Sequence, residues 1–253
     1  MNPFDLSGKV AIIIGGSRGI GLAIADGLAS AGAIAVIANR NAGYGEEAAE
    51  KIRAKGGKAK AIPADVVQRK SVENLAEATR KEFGRIDILV NSAAIILRKP
   101  IVEVTDEEWD SLMSTNLKGA FLCCQVVGRH MIERKQGKII NISSNIIQPL
   151  QPGRGLYAIS KAGLTQLTRV LAFEWAQYNV HVNAIAPGPT ITDLNRKFFE
   201  EHPEDLKARI QSLPIGRMGQ PRDHVGAALL LASPASDFMT GQTLFVDGGS
   251  NLI

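Results

Sequence analysis

The sequence predicts a single α/β domain, built as a doubly wound, seven-stranded parallel sheet with helices on both faces. Short, almost purely apolar runs alternate along the chain with longer stretches in which apolar residues recur at helical spacing. Runs that are apolar throughout are typical of strands covered on both faces, as in a parallel sheet between two layers of helices. One domain of this kind accounts for all 253 residues, 1–253.

Seven runs rich in β-branched residues are the predicted strands, and six stretches between them are the predicted helices. The strands cover residues 10–14, 33–38, 60–64, 86–91, 138–143, 180–186 and 243–246. The helices cover residues 19–31, 45–55, 71–83, 105–130, 157–177 and 222–231. Thr105 followed by Glu108 predicts a capping box at the fourth helix. Gly32 and Gly84 stand just past two helix ends, where a left-handed residue is favoured.

One segment, residues 189–214, has neither strand nor helix periodicity. Pro189, Pro203 and Pro214 are spaced through it among charged and apolar residues. We interpret this segment as an excursion from the sheet that covers a pocket, that is, a substrate lid.

Composition disfavours several classes of partner. With 29 Lys and Arg against 25 Asp and Glu, the net charge is only +4, so no nucleic-acid partner is expected. The adjacent Cys123 and Cys124 lie in an apolar helical stretch and cannot staple the fold, which favours a reducing, cytoplasmic setting. No apolar run has the length of a membrane span and no leader-like segment begins the sequence, so no membrane partner is expected.

A glycine-rich turn separates the first predicted strand from the first predicted helix. Glycines at this position let the backbone turn sharply and bring amide N–H groups and the positive helix end against a pyrophosphate. The turn therefore predicts a dinucleotide site of the Rossmann type. The predicted cofactor contacts in this turn are Gly15, Ser17, Arg18, Gly19, Ile20 and Gly21.

The end of the second predicted strand distinguishes between the two nicotinamide dinucleotides. An acidic residue there binds the ribose 2′-hydroxyl of NAD(H), whereas this chain has Asn39 and Arg40, with Arg18 in the glycine-rich turn. Two guanidinium groups suit a 2′-phosphate, because their forked donors bind phosphate well. NADP(H) is the predicted cofactor and NAD(H) the alternative. Asp65 and Val66 are predicted to contact the adenine, although an Asp after a strand is also typical of a plain turn.

Tyr157 and Lys161 are four residues apart at the start of a predicted helix, so they share one face. A nearby ammonium favours tyrosinate, so we expect Lys161 to lower the pKa of Tyr157 from about 10 and make it an acid/base group. Ser144 closes the preceding strand, where a hydroxyl can hydrogen-bond a carbonyl oxygen. Asn116 lies inside a long predicted helix, which indicates either a solvent-facing side chain or a polar group at a local helix distortion.

Other catalytic patterns are absent from the sequence. The four histidines lack metal-ligand spacing and there is no Cys-x-x-Cys, so no metal site is predicted. The phosphate loop of nucleoside triphosphatases is missing as well, and the Gly-x-Ser-x-Gly spacing occurs only inside the glycine-rich turn, at residues 15–19. Hydride transfer between a nicotinamide cofactor and a small carbonyl or alcohol substrate remains.

Over essentially its whole length the sequence resembles the short-chain dehydrogenase/reductase family. The matching motifs are Gly15-x-x-x-Gly19-Ile20-Gly21, Asp65-Val66, Asn91-Ser92-Ala93-Ala94, Asn116, Ser144, Tyr157-x-x-x-Lys161, Pro187-Gly188 with Thr192, and Phe245-Val246-Asp247-Gly248-Gly249. Each motif alone is modest, but their order and spacing together are highly specific.

This resemblance implies a role for each candidate residue. Tyr157 would be the general acid/base, and Lys161 would lower its pKa and hold the nicotinamide ribose, which makes both of them cofactor contacts. Ser144 would polarise the carbonyl, and Asn116 would anchor a water in the proton relay. The further cofactor contacts that it implies are Asn91, Ala93, Pro187, Gly188, Thr190 and Thr192. It also implies a homotetramer.

Two positions depart from the family pattern. Ile14 stands where the family usually has Thr, so a hydroxyl that braces two strands is lost. Ala94 stands where the family usually has Gly, which places a methyl group where the cofactor approaches. Neither change touches the proton-transfer groups.

Residues 38–41, 95–100 and 173–176 most resemble sugar-acid dehydrogenases of the gluconate 5-dehydrogenase type. Arg98 and Arg154 are predicted in loops at the carboxyl edge of the sheet, and we expect one of them to bind a substrate carboxylate. The alternative is reduction of a 3-oxoacyl thioester, which needs the same core residues and a longer apolar channel. A dinucleotide-binding module without catalysis is more remote, because Ser144, Tyr157 and Lys161 are all present.

Overall fold

The computed structural model describes residues 2–193 and 195–252. Met1 and Ile253, the two ends of the predicted domain, and Leu194, within the predicted lid, lie outside the described residues.

The described residues form one sheet of seven strands, and every neighbouring pair is parallel. The strands are β1 (Val10–Ile14), β2 (Ile34–Ala38), β3 (Lys58–Ala61), β4 (Ile88–Asn91), β5 (Gly137–Ile142), β6 (Val180–Pro187) and β7 (Thr243–Val246). Their order across the sheet is β3-β2-β1-β4-β5-β6-β7, so the direction of winding reverses between β1 and β4. Ligands bind doubly wound sheets at the carboxyl side of such a reversal. The predicted fold class is confirmed.

Helices cover both faces of this sheet. They are α1 (Gly19–Ser30), α2 (Ala42–Ala54), α3 (Arg69–Phe83), α4 (Asp106–Met113), α5 (Gly119–Glu133), α6 (Gly155–Trp175), α7 (Arg196–Glu201), α8 (Pro203–Gln211) and α9 (Val225–Ala232). Side chains alternate between the faces of a strand. Accordingly, Ile12 of β1 joins a core cluster with α3, α5 and α6, and its neighbour Ile13 joins a second cluster with α1, α2 and α9.

Local signals in the sequence fix several helix ends as expected. The Thr105 hydroxyl accepts a hydrogen bond from the backbone N–H of Glu108, whose carboxylate accepts one from the N–H of Thr105. Gly84 ends α3 with φ of 74°, and Gly32 follows α1 with φ of 99°. No helix in the described part of the chain combines the length and the apolar character that crossing a membrane requires.

Three parts of the structure differ from the sequence prediction. The third strand was expected at 60–64 but lies at Lys58–Ala61, because this edge strand alternates exposed lysines with half-buried alanines instead of forming an apolar run. The helix expected over 105–130 is divided into α4 and α5 by a π-helical turn, Ser114–Lys118. Within the predicted lid, residues 189–214, α7 and α8 supply two short helices that the proline spacing did not reveal.

Candidate active site

A cleft of about 450 Å³ opens at the carboxyl ends of β1, β2, β4, β5 and β6. Most of the predicted site residues lie in its wall. They are Gly15, Ser17, Arg18, Gly19, Ile20, Asn39, Arg40, Asp65, Val66, Ala93, Ser144, Arg154, Tyr157, Lys161, Pro187, Gly188, Thr190 and Thr192. Gly21, Asn91, Asn116 and Arg98 are not part of this wall. The sequence therefore located the cleft, while these four residues lie behind or beside it.

The glycine-rich turn between β1 and α1 is packed against backbone on its inner side. A Cβ at Gly15 would lie 2.7 Å from the backbone nitrogen of Ala93, and φ is positive at Gly15 and Gly19. Gly21 packs against the carbonyl group of Gly15, so it contacts the turn on the side away from the cleft. The turn leaves no room for a side chain at Gly15, and the positive φ disfavours one at Gly19, so the outer side of the turn remains free for a ligand that approaches the backbone.

Two arginines and a tyrosine lie at one end of the cleft. The guanidinium carbon of Arg18 is 6.0 Å from the centre of the Tyr44 ring. Arg40 lies in the same wall, and among the described residues neither arginine has a hydrogen-bonded or ion-paired side-chain partner. Sequence reasoning missed Tyr44. The signal that could have located it is Asn41, whose side chain accepts a hydrogen bond from the N–H of Tyr44 and so caps α2.

Asp65 forms the plain turn that its sequence context allowed. Its carboxylate accepts a hydrogen bond of 3.2 Å from the backbone N–H of Val67, as in an Asx turn. The residue nevertheless lies in the cleft wall beside Val66. Contact with an adenine ring therefore stays a prediction.

Asn91, at the end of β4, lies below the cleft. Its Nδ2 donates to Asn141 Oδ1 at 2.8 Å and to Cys124 Sγ at 3.2 Å. Its Oδ1 is buried and has no partner among the described residues. Asn91 thus ties β4 to β5 and α5, and its predicted contact with the cofactor remains a prediction.

Tyr157 lies in the first turn of α6, and Lys161 follows one turn later on the same face. The ammonium group of Lys161 is 5.7 Å from the centre of the Tyr157 ring, but it donates its hydrogen bond to the carbonyl oxygen of Ile142 at 2.7 Å. Lys161 is only 2% exposed. Ser144 follows β5 in the same wall, so the three side chains share one part of the cleft.

The expected direction of the pKa shift at Tyr157 is wrong for this structure. Burial raises the pKa of Tyr157 to about 12, and a hydrogen bond with Ser144 and the positive charge of Arg154 lower it by less. Burial also lowers the pKa of Lys161 to about 8. The reason is that removing a phenolate from water outweighs the attraction of an ammonium that points at the Ile142 carbonyl.

Asn116 lies in the π-helical turn between α4 and α5 and is 1% exposed. Its Oδ1 accepts from the N–H of Ile95 at 2.8 Å, and its Nδ2 donates to the Ile95 carbonyl at 2.9 Å and to Ser160 Oγ at 3.1 Å. Of the two sequence interpretations, the polar group at a helix distortion is confirmed. Asn116 connects the loop after β4 to α6, and its role in a proton relay stays a prediction.

The two predicted substrate arginines lie at different places. Arg154 lines the main cleft, whereas Arg98 lines a neighbouring cavity, and the guanidinium carbon of Arg98 lies 5.0 Å from the centre of the Phe198 ring. Arg154 lines that cavity as well. A third arginine, Arg209 of α8, lines both spaces and was not found from the sequence, because α8 itself was not predicted.

A glycine turn at the reversal point of a parallel sheet, next to a serine, a tyrosine and a lysine, is typical of dinucleotide-dependent oxidoreductases. Comparison with known proteins narrows this class. The family model described as enoyl-(acyl carrier protein) reductase matches residues 14–251. The chain therefore belongs to the short-chain dehydrogenase/reductase family, and the resemblance noted in the sequence is confirmed.

Relatives within the family include enzymes of sugar-acid metabolism. The chain is 41% identical over 248 residues to gluconate 5-dehydrogenase of Gluconobacter oxydans, covering 97% of this chain and 96% of that protein. It is 39% identical over 247 residues to 5-keto-D-gluconate 5-reductase of Escherichia coli K12, covering 97% and 96%. The solved gluconate 5-dehydrogenase of Burkholderia cenocepacia, in complex with NADP and tartrate, is 40% identical and superposes with a TM-score of 0.95 over 100% of this chain and 98% of that one.

The protein is thus an oxidoreductase that interconverts an alcohol and a ketone with a nicotinamide dinucleotide.

Proposed function

We propose that the protein interconverts a secondary alcohol and a ketone on a sugar acid of the gluconate/5-ketogluconate type, with NADP(H) as cofactor. One observation carries the proposal: the glycine-rich turn, Tyr157 and Arg154 line one continuous cleft. A dinucleotide site, a proton-transfer group and a cation suited to a carboxylate are then available to one small substrate. The names of the sugar-acid relatives, and the NADP and tartrate of the solved one, support the same choice.

The cleft fits a dinucleotide, because its glycine-rich turn presents backbone to the ligand side and the first turn of α1 begins there. Gly15, Ser17, Gly19 and Ile20 would hold the pyrophosphate in this cradle. Lys161 and Thr190 to Thr192 would hold the nicotinamide end. When bound, the nicotinamide gives a hydride to the carbonyl carbon or takes one from the alcohol carbon.

Tyr157 exchanges the proton that accompanies the hydride. With a pKa of about 12 the phenol is protonated at neutral pH, so in ketone reduction it donates its proton to the carbonyl oxygen as that oxygen becomes a hydroxyl. Alcohol oxidation reverses the transfer. Ser144 donates a hydrogen bond to the same oxygen and holds it near the phenol. Lys161, fixed by the Ile142 carbonyl, places a positive charge beneath the tyrosine ring.

The cofactor choice depends on Arg18 and Arg40, which are exposed at one end of the cleft. We expect Arg40→Ala to lower kcat/KM for NADPH about 10- to 100-fold, because charge-assisted hydrogen bonds contribute about 1.5–3 kcal/mol. The same variant should change kcat/KM for NADH less than about twofold, since NADH lacks the 2′-phosphate. Steady-state kinetics with both cofactors measure this, and an equal loss for both would contradict the role of Arg40.

Arg98 and Arg154 are the sequence-derived candidates for the substrate carboxylate. We expect Arg154→Ala, Arg98→Ala or both to raise KM for gluconate about 10-fold or more, since a charged hydrogen bond is lost. Arg169→Ala, an exposed arginine farther along α6, is the matched control and should leave KM unchanged. If neither candidate variant raises KM, carboxylate binding by these residues is wrong.

The substrate class itself is tested with purified protein. Oxidation of gluconate with NADP and reduction of 5-ketogluconate with NADPH should exceed turnover of a 3-oxoacyl thioester. Preferred reduction of the thioester would favour the acyl alternative, which needs the same Ser144, Tyr157 and Lys161. Cofactor binding without turnover of any carbonyl would favour a non-catalytic dinucleotide module.

Two further features belong to this proposal. Residues 189–214 would act as the substrate lid, since Thr192, Asn195, Phe199 and Arg209 from this segment line the cleft. A homotetramer would cover apolar side chains that are exposed in one chain, such as Phe173 at 88%. Light scattering should then give four times the mass of the single chain.

A further inference from the structure

A second cavity beside the main cleft, of about 440 Å³, is lined by three positively charged side chains. It lies between the loop after β4, the start of α6 and the lid helices. The side chains that matter here are Arg98, Arg154, Arg209, Asp205, Phe198 and Phe199. The two phenylalanines and Pro152 form the apolar part of the wall, and Asp205 is its one carboxylate among the described residues.

The three guanidinium groups are unpaired within the described chain. None of them has a carboxylate oxygen within 4.0 Å, Asp205 included, and none donates a hydrogen bond. Some other arginines of this molecule are paired: Arg85 binds Asp87 through two nitrogens, and Arg217 binds Asp223 in the same way. Burial lowers the pKa of Arg154, and the charges of Arg98 and Arg209 lower it further, so the three cations lie close enough to repel one another. An anion in this cavity would relieve that repulsion.

Arg209 lies on a lid helix, unlike the other two arginines. Arg98 and Arg154 belong to loops at the edge of the sheet, whereas Arg209 is on α8 within residues 189–214. Because Arg154 and Arg209 both line the cavity and the main cleft, an anion that binds both would connect α8 to the start of α6. Tyr157 lies in the first turn of α6, so the acid group of the ligand would be held at the end of the helix that presents the phenol.

We propose that Arg209 is a specificity-determining residue: together with Arg154 it binds the carboxylate of the substrate, and its charge makes the site select a sugar acid over a neutral molecule of the same length. This inference rests on the proposed function, since it takes the substrate to be a sugar acid. Asp205, one helical turn before Arg209, opposes the binding of an anion but leaves a net positive charge in the cavity. It also offers an acceptor for a sugar hydroxyl.

The test compares gluconate with gluconamide, its uncharged amide, in steady-state oxidation with NADP. Arg209→Gln should lower kcat/KM for gluconate about 10- to 100-fold and change that for gluconamide less than about twofold, because only gluconate carries the charge. Arg209→Lys, which keeps the charge, should recover part of the loss. Lys207→Ala removes an exposed positive charge from the same helix outside both cavities and should change neither value.

The possible outcomes distinguish a wrong role for Arg209 from a wrong substrate class. If the wild-type protein does not prefer gluconate to gluconamide, the proposed substrate class is wrong and the inference falls with it. If the wild type has that preference, Arg154→Ala loses it and Arg209→Gln retains it, only the role of Arg209 is wrong. An equal loss for both substrates in Arg209→Gln, with a lower melting temperature, would show a structural role and also overturn the inference.

Discussion

At the level of single residues, burial has a larger effect than charge on the proton affinity of Tyr157. Its pKa rises to about 12 although Lys161 lies one helical turn away. The ammonium is engaged by the Ile142 carbonyl and is itself destabilised by burial, with a pKa of about 8. The phenol is therefore a proton donor over the whole neutral range, which suits reduction of a ketone.

Removing the phenol hydroxyl tests this residue directly. We expect Tyr157→Phe to lower kcat about 100- to 10,000-fold, because a positioned general acid contributes about that much. Cofactor affinity, measured by NADPH fluorescence, should change little, since the ring that lines the cleft remains.

Tyr178→Phe is the matched control, as Tyr178 packs against the core beside α6, away from the cleft. It should leave kcat unchanged. A Tyr157→Phe variant with the kcat of the wild type would contradict the proposed role of Tyr157 as the general acid.

Residues recognisable by spacing were predictable from the sequence, and residues that depend on tertiary approach were not. Tyr157 and Lys161 are one turn apart on a single helix, so four positions in the sequence suffice to bring them together. Tyr44 meets Arg18 only because the start of α2 folds back over the glycine-rich turn. Arg209 reaches the cavity from α8, whose short pattern between prolines carries too little periodicity to recognise.

At the level of elements, the loops and turns at strand ends and between helices place many of the functional side chains. The π-helical turn that contains Asn116 is one such device: an additional residue in the turn aims the amide at Ile95 and Ser160 instead of at solvent. The sequence indicated the distortion through an amide residue inside an apolar helix. It could not indicate the partners, because they come from two other segments.

The end of β6 is a second tight junction, and a substitution there has a predictable cost. A Cβ at Gly188 would contact the backbone of Asp247 after β7, with the carbonyl oxygen at 2.8 Å. Backbone cannot move aside without disturbing both strands, so Gly188→Ala should reduce the free energy of unfolding by about 1–3 kcal/mol. Urea denaturation measures the change.

Gly226→Ala is the control, and it should raise the free energy of unfolding instead of lowering it. Gly226 is in α9 and a Cβ there would meet nothing within 4 Å. Alanine in a helix interior is favoured over glycine by about 0.5–1 kcal/mol. A Gly188→Ala variant as stable as the wild type would show that the two strand ends separate readily.

The boundaries of the elements were predictable to within three residues for most of the sheet and its helices. The largest displacement within the sheet is at β3, which begins two residues and ends three residues before the predicted strand; there a Lys-Ala-Lys-Ala sequence pairs with β2 at the sheet edge. Only a strand covered on both faces must be apolar throughout, so the apolar run at 60–64 was a poor guide to the position of an edge strand.

For the molecule as a whole, the two edges of the sheet have separate tasks. The carboxyl edge holds the cleft, and the amino edge holds a buried ion cluster around Asp87, which is 4% exposed. Its carboxylate accepts hydrogen bonds from the N–H of Val10 and from Arg85 and Arg134. Burial alone would raise the pKa of Asp87, but these hydrogen bonds and charges lower it overall.

The stability of the fold should consequently depend on pH through Asp87. A carboxyl whose pKa is lowered by folding stabilises the folded state above its unfolded pKa of about 4, and this contribution is lost as the pH falls through the folded pKa. Asp87→Asn should reduce the free energy of unfolding at pH 7 by about 1–3 kcal/mol. The difference between variant and wild type should shrink toward pH 3, as measured by urea denaturation at both values. A difference independent of pH would show that the charge of Asp87 is not the cause.

The carboxyl edge is itself divided between sheet and lid. The strands, and the helices packed on them, supply the glycine-rich turn, the serine, the tyrosine and the lysine. The lid helices α7 and α8 contribute Phe198, Phe199 and Arg209. Saturation mutagenesis confined to these lid positions could therefore explore new alcohols and ketones while hydride chemistry, coenzyme choice and folding are inherited unchanged from the rest of the chain.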